Sequence, residues 1–463
     1  GTGTGTSTNT GKVTVTSDGS IGMMTTGTGT LTNAGELTVT GGNNATNTRG
    51  TIGMSAGIGS TIDSSTGKAT IDVKGDKSTG VYSDGTLKLG ESTVKTSDKA
   101  VNYFADNNGK IEIAAGKTST ATTGQSSLLF YTEGNGKILV NGTMNATIKG
   151  GATPALRGTA FYYKSPGASY GVFDKDTVKN YFDTSFGNGT GTSTLNNLTL
   201  NMEQGSRLFV ASNVAMNLSD TDATALMSQV TTQKPLLTGS TDYKTFMLYL
   251  SKLNINQAVN LDDPNDDYNQ LEIANSTVEN ANNIAGTQNR QVGIAQENGN
   301  DTNGDGYNAN KVTLTNTATG SINLTGDEST GIYAKRGLIF NDGQISVGKK
   351  STGIYIVEDD RSPVGAVAGA RAINSSTGVI TIGEDSTGMY YKVDPDNADG
   401  RGTNTAIGGG IVNDGKIEST ANNVIAMSFD SPYASKTMEN SATGVIDLQG
   451  QNSTGMFATG AGT

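Results

Sequence analysis

The sequence predicts an all-β chain wound as a right-handed parallel β-helix, a β-solenoid, with inserted loops or a small inserted lobe. Three observations carry this. The composition is rich in Gly and hydroxyl residues and poor in apolar ones, a short strand motif recurs beside turn glycines, and the copies are spaced at about one coil each. Of 463 residues 64 are Gly, about 14%, twice the usual ~7%. Apolar residues are 33%, charged residues 16%, and there are 7 Pro. Disordered chains of low hydrophobicity are rich in Pro and charge. Here Gly, Thr, Ser and Asn alternate with Ile, Val and Leu, the residues of strands and tight turns. Such a chain can fill one thin core, not three thick ones.

Five segments align along the motif G-x-I-x-[VIL], a short spacer, then S-T-G-[IVM]-[YF]. They start at Gly67, Gly320, Gly343, Gly378 and Gly444 and end at Tyr82, Tyr333, Tyr355, Tyr390 and Phe457. Weaker copies include Gly11-Lys12-Val13-Thr14-Val15, Gly109-Lys110-Ile111-Glu112-Ile113 and Gly136-Lys137-Ile138-Leu139-Val140. The first half reads as a strand with alternate residues inward, Ile322 and Leu324 in one copy, Ile345 and Val347 in another. S-T-G reads as a turn whose Gly takes positive φ. A second strand then points Ile332 and Ala334 inward and Tyr333 outward. One copy buries too little to fold alone, and stacked copies share a continuous core. The glycines at 320, 343, 378, 415 and 444 stand 23, 35, 37 and 29 residues apart. A three-strand coil needs roughly 20–25 residues, so the longer copies carry insertions. Helical repeats are excluded, because the repeated segments lack a helix-length apolar period and are rich in Gly.

Three regions follow. Residues 1–143 and 311–463 read as regular coils, the latter with the S-T-G-[IVM]-Y copies. Residues 144–310 read as coils with long insertions. Within them, 154–186 gathers aromatics, 219–233 has the pattern of a short helix starting at Ser219, and 242–253 is an apolar run readable as strand or short helix.

The S-T-G-[IVM]-Y copies after G-x-I-x-V, with turns such as Asn341-Asp342-Gly343 and Asn413-Asp414-Gly415, resemble the very large fusobacterial type V autotransporter adhesins (RadD-like). The resemblance covers most of 1–143 and 311–463. It implies that this chain is a fragment of a passenger domain, displayed at the cell surface and anchored in the outer membrane by a translocator β-barrel outside this stretch. It implies attachment to host cells or other bacteria through a glycan or protein receptor. The ends, Gly1-Thr2-Gly3-Thr4 and Thr459-Gly460-Ala461-Gly462-Thr463, read as cuts through a longer repetitive chain.

The absences narrow the chemistry. There is no His, Cys or Trp, and the net charge is −11. Imidazole bases, thiol nucleophiles, disulfides and Cys/His metal sites are excluded. The charge argues against nucleic acid as a partner. No run of ~20 apolar residues is present, so no direct insertion of this segment as a membrane helix is expected. No catalytic residue and no cofactor is predicted, and the chain is expected to be a monomer. A carboxylate-only glycan-cleaving enzyme of the tailspike or lyase type is the alternative, and a pure spacer is a further one. Asp301, Asn303 and Asp305 begin like a calcium loop, but Val312 stands where its bidentate Glu belongs, and a plain turn is the competing reading. The loop Asp262, Asp263, Asn265, Asp266, Asp267 reads as solvated. Tyr162, Tyr163, Tyr170, Phe173 and Tyr181 are the candidate ligand-binding residues, because the repeat does not demand them and insertions on rigid scaffolds carry function. The competing reading makes them a local core under the insertion. The repeat aromatics Tyr82, Tyr333, Tyr355, Tyr390 and Phe457 fall at equivalent coil positions and are expected to form a stabilising ladder.

Overall fold

A computed structural model describes residues 4–46, 48–152, 156–187, 194–218, 225, 228, 235–241, 243–297, 313–335, 337–359, 370–394, 409–432 and 436–460. The chain is a parallel β-helix. It divides into two compact units, Gly1–Ser212 with Ala223–Met247, and Asn213–Asp222 with Leu248–Thr463. The division falls inside 144–310.

In the N-terminal unit each turn of the chain lays short strands on three faces. The first face runs from Thr6–Asn9 through Thr30–Asn33 to Lys110–Ile113 and Lys137–Val140. The second runs from Lys12–Val15 through Glu36–Gly41 to Thr118–Thr123, Thr143–Ile148 and Leu198–Met202. Two long strands, Thr61–Lys74 and Thr86–Ser97, bend across the corner and serve both faces, with an irregularity between Ser64 and Lys68. The third face stacks Ile21–Thr25, Ile52–Ala56, Thr79–Ser83, Val101–Ala105, Leu128–Thr132, Thr159–Lys164 and Arg207–Ser212. Strands pair in parallel because each lies one full coil above the last. Alternation then puts one side chain in two inward, as with the fully buried Ile71, Val73, Leu87 and Leu89.

The C-terminal unit winds the same way. The G-x-I-x-V half of the motif forms one face, with Ser321–Leu324, Gln344–Val347, Val379–Ile382, Lys416–Ser419 and Val445–Leu448 in register. The half after S-T forms the next, with Thr330–Lys335, Thr352–Asp359, Thr387–Asp394, Ile425–Asp430 and Thr454–Thr459. Ile322, Leu324, Ile332 and Ala334 are buried as the alternation requires, and Tyr333 is half-exposed.

The S-T-G corner works differently from the turn expected. The residue in left-handed conformation is the one before Ser, namely Glu328, Lys350, Asp385 and Asn452 at φ 58°, 52°, 58° and 56°. The Ser stitches coils together. Ser329 N–H donates to Ser351 Oγ and Ser351 N–H to Ser386 Oγ, each at 3.0 Å. The Gly lies within the strand, and what demands it is close packing. A Cβ on Gly331 would sit 2.5 Å from the carbonyl oxygen of Gly353 in the next coil and 2.7 Å from Ile345 Cγ2.

A second stitching device had no counterpart in the sequence reading. Asn280, Asn316, Asn341, Asn374, Asn413 and Asn440 end successive strands and form a ladder. Each side-chain amide donates to the next Asn Oδ1 at 2.7–2.9 Å. Several give their second proton to a backbone carbonyl, as Asn374 does to Lys416 O at 3.2 Å. The first five are fully buried, where an unpaired amide would be costly.

The insertion in the N-terminal unit holds a helix, Lys175–Ser185, capped by Asp174, whose side chain accepts from Thr177 N–H at 2.8 Å. Val178, Tyr181, Phe182 and Ser185 form its buried face, an i, i+3, i+4, i+7 stripe. The apolar run 242–253 proves to be strand, Lys244–Tyr249 followed by Lys252–Ile255. Most of the candidate helix 219–233 lies outside the described residues.

Candidate ligand-binding face

On the third face of the N-terminal unit one outward column carries rings. Tyr82, Phe104, Tyr131 and Tyr162 are in register through four successive coils. All four are half-buried, while Val81, Tyr103, Phe130 and Phe161 beside them point inward and are fully buried. Ring centroids are 5.3, 4.6 and 5.1 Å apart along the row, with interplanar angles of 79°, 22° and 85°. Phe104 and Tyr131 therefore stack face to face. Tyr82 and Tyr162 stand across the two ends of that stack, so each keeps ring face that the stack does not use.

The row is held at its corner by carboxylates. Tyr82 Oη donates to Asp106 Oδ2 at 3.0 Å and Tyr131 Oη donates to Glu133 Oε1 at 2.5 Å. Burial, followed by these acceptors, raises both phenols above the ordinary tyrosine value. Both stay protonated and act only as donors to their carboxylates. Asp106 Oδ1 also accepts from Asn107 N–H at 2.8 Å, so its orientation is fixed.

The same corner carries a groove of about 550 Å³. Its polar lining is Ser60, Thr61, Asp84, Thr86, Asn107 and Asn108, and its rim holds Ile58, 73% exposed. Lys110, in register with Thr86 on the first face, is turned to Glu112 at 2.8 Å.

A second outward row lies in the C-terminal unit. Tyr333 and Tyr355 are 5.5 Å apart, and Tyr355 and Tyr390 stack at 5.0 Å and 11°. It begins beside Ala295 and ends at Ser428, which separates Tyr390 from Phe457. The ladder expected of the repeat aromatics thus exists as this three-ring row, while Tyr82 belongs to the other.

The five predicted ligand-binding residues do not converge on one surface. Tyr162 joins the outward row. Phe173 and Tyr181 are core residues at 1% and 5% exposure, packed among Phe209, Phe246, Phe182 and Phe186 at ring distances of 5.2–6.0 Å. A ring enclosed in this way offers no face to a ligand. This is the correction the structure makes to those two positions: they build the local core under the insertion. Tyr163 is half-buried with its ring 5.5 Å from Tyr181, and Tyr170 is 41% exposed. Phe104 and Tyr131 were missed because they follow no S-T-G. Both stand five residues ahead of a G-K-I strand entry, Gly109 and Gly136, and that offset was the available signal.

Other candidate chemistry resolves into structure. In the acidic loop, Asp262 accepts from Thr287 N–H, Thr287 Oγ1, Gln288 N–H and Gln291 Nε2. These bonds lower its pKa to about 2. Asp263 and Asp266 cap Asn265 and Tyr268 N–H. Asp301, Asn303 and Asp305 lie outside the described residues. Among the described residues no group of three or more acidic side chains is placed to hold a metal ion. Glu358 is paired with Lys436 at 2.5 Å and takes a hydrogen bond from Tyr391. Burial raises its pKa, against the influence of Lys436. All three side chains are buried, which makes the cluster a piece of core.

No protein-family model matches the chain, and no curated protein sequence matches it.

Proposed function

We propose that this protein is a β-helical passenger segment of a surface-displayed bacterial adhesin. In this reading a translocator outside this stretch anchors it in the outer membrane, and it attaches to host cells or other bacteria through a glycan or protein receptor. The observation that carries the reading is the outward aromatic row Tyr82–Phe104–Tyr131–Tyr162 beside a polar groove. The repeat does not require rings in this column, since Ser55 occupies the same register one coil earlier. The rings also lie on a rigid sheet, where a binding geometry is held without ordering cost. Binding is favoured over catalysis because, among the described residues, the one acid with a raised pKa, Glu358, is enclosed. No helix among the described residues is long and apolar enough to cross a membrane.

The test is adherence of beads coated with the 463-residue chain to bacterial and host cells. Replacing Tyr82, Phe104 and Tyr131 together by Ala is expected to lower adherence at least tenfold with the β-sheet signal retained. Unchanged adherence of the folded variant would overturn this site.

A further inference from the structure

We infer that Lys436 and Glu358 condense spontaneously in the folded chain to an intramolecular amide, which ties successive coils of the C-terminal unit by a covalent bond. This goes beyond the adhesin reading and stands independently of it.

The placement comes first. Glu358 continues the buried column of Ile354 and Ile356, and one coil later the same register holds Val393. The coil therefore does not demand a charge at this position. Lys436 opens a strand on another face, where the preceding coil has Gly409. That glycine makes the room: a Cβ on it would stand 2.7 Å from Glu358 Oε2 and 3.2 Å from Tyr391 Oη. Tyr391 donates to the same Oε2, and Phe429 stacks on its ring at 5.0 Å and 10°. A lysine, a glutamate, a tyrosine and a glycine from successive coils thus meet at one corner.

Reach and dryness come next. Lys436 Nζ is 2.5 Å from Glu358 Oε1. A C–O bond of ~1.25 Å then places Cδ no more than about 3.8 Å from Nζ, a small adjustment from the ~3–3.5 Å of an attack geometry. The two side chains are 2% and 6% exposed, so the water that would reverse the reaction is kept out. A buried ion pair gives up hydration that its contact repays poorly, and burial raises the Glu358 carboxyl. Both effects favour passing a proton from ammonium to carboxylate, which leaves a neutral amine beside a neutral acid.

The atoms then balance. Lys436 Nζ forms a bond to Glu358 Cδ. Oε2 is the oxygen that stays, and the Tyr391 hydroxyl holds the negative charge that develops on it. The Cδ–Oε1 bond breaks, and Oε1 leaves as water with two protons from the Lys436 ammonium. One ammonium and one carboxylate become one amide and one water, with no other reactant. The link joins residues 78 apart in sequence, so a force that peels these coils apart meets a covalent bond.

The experiment is mass spectrometry of the whole chain, first intact and then after trypsin. The chain is expected to weigh one water less than its sequence, with a branched peptide joining Glu358 to Lys436 and no cleavage after Lys436. Lys436→Met is expected to restore the full sequence mass. Tyr391→Phe, which keeps the ring and loses the hydroxyl, is expected to slow the loss of water at least tenfold in freshly synthesised chain. A folded parent chain at full sequence mass, cleaved after Lys436, overturns the bond. So does a lost water that maps to other residues or persists in Lys436→Met. Tyr391→Phe reacting as fast as the parent overturns the role given to the Tyr391 hydroxyl.

Discussion

In the N-terminal unit the core is carried by rings. Tyr103, Phe130, Phe161 and Phe209 lie in register through four coils, and the insertion adds Phe173, Tyr181, Phe182 and Phe186 on top of them. In the C-terminal unit the corresponding interior is mostly Ile, Val and Met, and the six-residue Asn ladder stitches one corner. Aromatic pairs contribute ~0.5–1.5 kcal/mol each beyond their buried area and tolerate a range of angles. An amide ladder tolerates little, because each Asn must meet the one above within hydrogen-bond reach. The ring-filled unit can therefore accept an inserted helix in its wall. The ladder-stitched unit keeps strict register at that corner.

The largest break in this comparison is expected from Phe209→Ala. Phe209 is fully buried and contacts rings from both the coil and the insertion. The loss is expected to be about 3–5 kcal/mol. Hydrogen exchange should show it in 128–212 while the C-terminal unit stays protected; equal loss in both units would mean that they are not stabilised separately.

Asn374→Ala should come next. It removes an acceptor from Asn341 and a donor from both Asn413 and Lys416. Each buried group left without a partner costs about 1–3 kcal/mol. Exchange protection should fall in 338–341 and 409–413 first, and a variant as stable as the parent would show that the ladder is incidental to register.

The smallest effect is a pH effect on one loop. Hydrogen bonds from Thr287 lower the Asp262 carboxyl from 3.8 to about 2. A lowered folded-state value contributes stability that is present above the unfolded value and is lost as pH falls through the folded one. Proteolytic protection of 261–270 should therefore decline between about pH 4 and pH 2. Asp262→Asn should be less protected at pH 7 and show no such decline; a parallel decline in the variant would assign the titration to another group.

Much of this architecture was legible in the chain. The alternation in Ser321–Leu324 and the recurrence of Ile322, Ile345 and Ile380 required stacked strands with these residues inward. The helix Lys175–Ser185 is not among the elements read from the sequence, although its Asp174 cap and its Val178, Tyr181, Phe182 stripe are present there; the packed aromatics follow the local-core reading. The S-T-G motif was visible but its mechanism was not. A glycine required by positive φ and one required by a neighbour 2.5 Å away look identical in a single sequence.

The sequence by itself determined the coil, because a period of two residues within strands and one coil between them can bury a thin core in only one way. Tertiary structure alone decided which residues meet across coils. Tyr82, Phe104, Tyr131 and Tyr162 are 22 to 31 residues apart from one to the next, with unequal numbers of residues between them. Only the register of the stacked strands brings them into one row, as it brings the six asparagines into one ladder. Burial was decided there too: Tyr162 and Tyr181 are the same residue type in one aromatic-rich stretch, and packing alone makes one a surface ring and the other core.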